Sequence, residues 1–117
     1  MQLFQVNLGG EGEIPGVINQ QPLWVESNPN WRTSRYGRTI DELKSDGHRF
    51  EFCSNDHLSF ADESVSIVYT NNVRIGGRSH LGPWVPESEI WRILANGGLW
   101  YHNGILKWVK PWVVSLI

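Results

Sequence analysis

The sequence predicts an α/β protein with a small, mostly parallel sheet and flanking helices, and three observations predict it. Strand-like and helix-like segments alternate through the middle of the chain, the pattern left by parallel strands joined by crossovers. Ser64 to Thr70 is an apolar run of the kind a strand shows when both faces of its sheet are covered. Pro86 to Ala95 places Ile90, Ile93 and Leu94 on one helical face. Asn96-Gly97-Gly98 then stops that helix ahead of another apolar run from Leu99.

Each element follows in order. Leu3 to Leu8 is β-rich and partly alternating, a first strand that runs into the glycine-rich turn Gly9-Gly10-Glu11-Gly12-Glu13. Pro15-Gly16 leaves no room for a long helix after that turn, so Gly16 to Asn19 becomes a short second strand. Gln20 to Arg38, with Pro22 and Pro29, is a long irregular loop with one helical turn near Pro29. Thr39 caps a helix through Lys44, which has acidic residues in its first turn and ends at Asp46-Gly47. Arg49 to Cys53 is the third strand and Ser64 to Thr70 the fourth. Val73 to Val85, with Gly76, Gly77, Gly82 and Pro83, is a loop. Leu99 to His102 is the fifth strand, and Ile105 to Val109 and Trp112 to Ile117 are two further extended segments.

The 117 residues fit one small domain spanning 1–117. A net charge of -2 with scattered basic residues argues against a nucleic-acid partner, which needs clustered Lys and Arg. The absence of a long apolar run argues against a membrane span. No basic-then-apolar leader precedes Leu3, and the single cysteine, Cys53, fits a reducing compartment, so a cytoplasmic location is expected. Cys53 suits a buried strand end. His48, His57, His80 and His102 have no metal-ligand spacing with it or with each other. Seven Trp residues are more than a small domain buries fully. Some of them face a ligand or a second subunit, or else they plug a core short of other side chains. The apolar stretch from Trp108 to Ile117 can cover its own sheet edge or a neighbour's, and a homo-oligomer is expected.

Two motifs carry a resemblance. The first is Leu58-Ser59-Phe60-Ala61-Asp62-Glu63-Ser64-Val65-Ser66-Ile67-Val68, a turn entering a strand. The second is Glu89, Arg92, Ile93 and Leu94 followed by Gly97 and Gly98, a helix end. Together they resemble the class I S-adenosylmethionine-dependent methyltransferases over roughly residues 3 to 104. The resemblance implies a shortened Rossmann-like fold, S-adenosylmethionine as cofactor, and methyl transfer to a small-molecule acceptor that stays unknown. In parallel sheets ligands sit beyond the carboxyl ends of the strands, here Gly9 to Glu13, Asn19 to Gln21, Ser54 to His57 and Asn71 to Arg74.

By that resemblance the cofactor-binding residues are Gly9, Gly10, Gly12, Asn19, Ser54, Asn55 and Asn71, and no catalytic residue is designated. Each also has a plainer explanation: a tight turn for the glycines, a surface loop for Asn19 and Gln20, turn caps for Ser54 and Asn55, and a turn at Asn71-Asn72. The chain departs from the family where the cofactor would sit. Glu11 and Glu13 stand in the glycine loop, no acidic residue follows the second strand, and Ser54 stands where an aspartate would approach the adenine. These departures favour an alternative, a non-catalytic derivative of the fold that binds a partner or builds a homo-oligomer.

Overall fold

The computed structural model describes residues 3–76 and 84–112. Six strands form one sheet in the order β3-β2-β1-β4-β7-β8. They are β1 (Phe4–Leu8), β2 (Ile18–Gln21), β3 (Arg49–Phe52), β4 (Val65–Thr70), β7 (Leu94–His102) and β8 (Ile105–Val109). The first five run parallel, and β8 returns antiparallel to β7. Arg74–Ile75 (β5) and Trp84–Val85 (β6) make a separate parallel pair. Three short helices flank the sheet: α1 (Leu23–Glu26), α2 (Ile40–Ser45) and α3 (Glu87–Ile93). The mostly parallel α/β class read from the sequence is thus the class observed.

The parallel centre follows from composition. Val6 and Leu8 of β1 and Val65 and Val68 of β4 are fully buried and meet Ile90, Ile93, Leu94 and Trp100. Each such side chain contributes roughly 1.5–3 kcal/mol of burial. The β7–β8 turn is Asn103-Gly104, both with positive φ (51° and 80°), the backbone that twists a two-residue hairpin correctly. Thr39 caps α2 with a reciprocal capping box to Glu42, which fixes that helix at its predicted start.

Several elements differ from their sequence-based assignments. β2 begins at Ile18 and runs through Gln21, so Asn19 and Gln20 are buried strand residues and not surface loop. The helical turn in the long connection is α1 at Leu23–Glu26, N-terminal to Pro29. α3 stops at Ile93, because Leu94 is already extended (ψ 132°) and pairs with Val65. Asn96-Gly97-Gly98 therefore lies inside β7 as a bulge and does not end the helix. Gly97 takes φ +79°, and a Cβ on Gly98 would stand 2.8 Å from the Ala95 carbonyl. The loop read at Val73 to Val85 holds β5 and β6 at its ends, with 77–83 outside the described residues. The extended segment expected beyond Trp112 also lies outside them.

The Glu89-x-x-Arg92 motif acts as a structural clamp. Arg92 Nε and Nη2 donate to the Glu89 carboxylate (2.8 and 3.0 Å). Its Nη groups also donate to the carbonyls of Leu58 and Phe60 and to Asp62 (2.8–2.9 Å). Glu89 in turn accepts from the Leu58 N–H (2.7 Å). One guanidinium thereby fastens the turn before β4 to the helix before β7, using the planar fork that lysine lacks.

Candidate functional site

The strand order reverses direction between β1 and β4, and this is where an α/β sheet opens a crevice at its carboxyl edge. The residues beyond that edge are the glycine loop after Leu8 and the Asn71-Asn72 turn after Thr70. A cleft of about 280 Å³ lies there, lined by Gly12, Glu11, Glu13, Tyr36, His48 and Asn71 among others. It is small beside ordinary ligand pockets, which span roughly 300–1,000 Å³.

Beside this cleft, the glycine loop is filled by the protein's own side chains. β1 and β2 end in a run of buried amides: Asn7, Asn19 and Gln20 are fully buried, and Gln21 nearly so. Buried amides must find partners, because leaving one unpaired costs roughly 1–3 kcal/mol. They find them in the loop. Gly9 N–H donates to Gln20 Oε1 (3.1 Å), and Gly12 N–H donates to Asn19 Oδ1 (3.2 Å). Gly10 N–H goes to the carbonyls of Asn7 and Gln20 (both 3.1 Å). Glu11 N–H donates to Glu13 Oε1 (2.9 Å), while Asn7 Nδ2 donates to both Glu13 oxygens. Gln21 Nε2 closes the loop from below, donating to the Gly10 carbonyl (2.8 Å).

Every backbone N–H from Gly9 to Gly12 is therefore spent internally. The space above Gly10 is also taken: a Cβ there would press on Asn19 Oδ1 and stand 2.8 Å from the Asn7 carbonyl. Glycine is needed at this position so that the protein's own amides can approach. Glu11 is tied as well, accepting from the backbone N–H and hydroxyl of Ser34 (2.6 and 2.8 Å).

The remaining candidates divide. Gln20 Nε2 donates to Asn55 Oδ1 (2.8 Å) and to the Cys53 carbonyl (2.9 Å), which links Asn55 to the glycine loop. Asn19 Nδ2 reaches across to the Arg49 carbonyl (3.1 Å). Ser54 bonds Asp56 within its own turn and stands apart from the network. Asn71 lines the cleft with Gly12. Gly9, Gly10, Gly12, Asn19 and Asn55 are thus brought together, Asn71 faces the same cleft, and Ser54 does not join them.

Asn7 belongs to the network although sequence reasoning passed over it, and so do Glu13 and Gln21, which lay in the expected ligand segments but were not named as cofactor-binding residues. The signal for them was the run of amides at the ends of two adjacent strands, hidden when β2 was placed two residues early. Asn7 Oδ1 is buried and lacks a hydrogen-bond partner, one of two such side-chain atoms among the described residues. It is a single acceptor, whereas the ribose of S-adenosylmethionine asks for a carboxylate at the end of β2, where Gln21 stands. As arranged, these residues do not fit the cofactor in the way the resemblance implies. Comparison of the chain with family models, with curated proteins and with solved structures finds no match.

Proposed function

We propose that this chain is a methyltransferase-like domain of the non-catalytic kind. On this reading a Rossmann-like sheet is kept as a scaffold, its glycine loop is closed by internal side chains, and the protein works by binding. The carrying observation is the complete internal use of the loop N–H groups from Gly9 to Gly12. A backbone cradle holds a ligand only with donors left to give.

A second copy of the chain is the partner that the surface favours. Among the described residues β8 is an edge strand of the sheet, carrying exposed Ile105, Leu106 and Val109, with Trp112 just beyond it 73% exposed. Apolar edges are normally covered. Of the seven Trp residues only Trp100 is fully buried, and two of the exposed ones, Trp91 beside Trp108 of β8 and Trp112 after it, support an interface there. The unpaired Cys53 supports a cytoplasmic location. No helix among the described residues is long and apolar enough to cross a membrane.

An enzymatic reading has its own support. The β1/β4 crevice with Gly12 and Asn71 on its walls is where a family member would align a sulfonium methyl with a small acceptor. The two readings separate in a thermal-shift titration with S-adenosylmethionine and S-adenosylhomocysteine. The non-catalytic reading expects an unchanged Tm at millimolar ligand, and a saturable rise would show cofactor binding and overturn the closed-loop reading.

A further inference from the structure

The cleft at the β1/β4 crevice takes much of its wall from one surface turn. Thr33, Ser34, Arg35, Tyr36 and Arg38 all line it, together with Gly12 and Asn71 from the sheet's carboxyl edge. We propose that this turn, residues 33–38, is a lid that opens and closes the crevice, and that Glu11 is its latch.

The turn is bonded to itself and so moves as a unit. Thr33 N–H donates to the Arg38 carbonyl (2.8 Å) and Gly37 N–H to the Thr33 carbonyl (3.1 Å). Arg38 N–H donates to Thr33 Oγ1 (2.8 Å). Gly37 takes φ +62°, which lets the chain fold back there without strain. Thr33 is buried and Arg38 half-buried at the base, while residues 34–37 are exposed. The base is anchored on the α2 side. Arg38 pairs with Glu42 (3.3 Å) and with Asp46 at the helix end, and Thr39 caps the same helix. On the other side the bonds are local: Arg32 Nη1 donates to the carbonyls of Pro29 and Trp31 (2.9 and 3.1 Å).

The tip is held by one carboxylate. Ser34 N–H and Ser34 Oγ donate to the two oxygens of Glu11 (2.6 and 2.8 Å). Among the described residues these two bonds are the hydrogen bonds that join residues 34–36 to the rest of the protein. Arg35 lies instead over the ring of its neighbour Tyr36, 5.2 Å from the centroid. Both latch bonds are exposed, so water competes for each partner and their net worth is small. Lids are drawn from segments held this weakly. The other half of the latch is fixed, because Glu11 N–H is held by Glu13 Oε1 (2.9 Å) in the closed glycine loop.

Latched, the crevice holds about 280 Å³; released, the turn no longer walls it and the sheet's carboxyl edge is open. The lid acts on access to the crevice and not on the loop donors, so it stands apart from the non-catalytic reading. Limited trypsin digestion of the folded full chain tests it, with cleavage after Arg35 followed by mass spectrometry. A protease takes its substrate extended, so this bond is cut from the opened turn and its rate follows the open population. Glu11→Ala removes both latch bonds and should speed cleavage after Arg35 about tenfold, and Ser34→Ala, which removes one, about threefold. Cleavage after Arg49 in β3 requires the sheet to open and should keep its wild-type rate in both variants. Far-UV circular dichroism confirms that both fold. An unchanged rate after Arg35 in both variants, or an equal rise after Arg49, would overturn the lid.

Discussion

Glu13 shows how one side chain changes what a glycine loop can do. Its carboxylate accepts from the Glu11 N–H and from Asn7 Nδ2, so the protein's own anion takes up a loop donor that a bound anion would otherwise use. Gly10 makes that closure possible, because any Cβ there meets the Asn7 carbonyl and the Asn19 amide. Gly10→Ala is accordingly expected to destabilise the chain by about 1–3 kcal/mol through overpacking, read as a lower urea midpoint. An unchanged midpoint would mean that the amides above Gly10 give way freely. The glycine richness of this loop was visible in the sequence, and so were the two glutamates. Their use was not, because periodicity says which residues are buried and not which amide bonds which backbone group. Asn19 and Gln20 look like loop residues by type, and only burial in β2 turns them into loop fasteners.

The Glu89–Arg92 clamp ties two connections that helix propensity alone would leave loose. α3 has only seven residues and no side-chain cap at Pro86, so tertiary contacts must hold it. Arg92→Met would leave the largely buried Glu89 carboxylate without its cation, a loss of about 2–3 kcal/mol, and Arg92→Lys is not expected to restore the bonds to Leu58 and Phe60. Urea unfolding of both variants checks this.

The same pair gives the chain an acid dependence. The Arg92 hydrogen bonds hold the Glu89 carboxyl below its ordinary range, outweighing the opposing effect of its burial. A depressed carboxylate contributes stability that is full above its unfolded value, about 4.3, and is lost as pH falls through the folded value. Glu89→Gln should flatten the acid side of a stability profile, and a profile as steep as wild type would contradict the clamp. The motif's residues and spacing were legible in the sequence. The end of α3 was not, because Leu94 leaves the helix to pair with Val65 while the glycine pair serves a bulge.

The sheet itself was the most legible feature, since alternation of strand and helix with an apolar Val65–Thr70 core strand leaves few arrangements other than parallel ones. What the sequence could not show is the balance between an open and a closed carboxyl edge, which depends on contacts between residues far apart in the chain. At the other end of the sheet, β8 is the edge strand among the described residues. Light scattering is expected to give a dimer, and Ile105→Lys with Val109→Lys should shift it to monomer with an unchanged far-UV circular dichroism spectrum, since both side chains are exposed on the single chain. A wild-type monomer at high concentration would count against β8 as an interface. The closed glycine loop is tested by amide proton–nitrogen spectra recorded with millimolar S-adenosylmethionine, following the signals of Gly9, Glu11 and Gly12. Those three signals should stay where they are in the free protein. Saturable movement of all three would show that the loop opens its donors to a ligand, and would contradict the account.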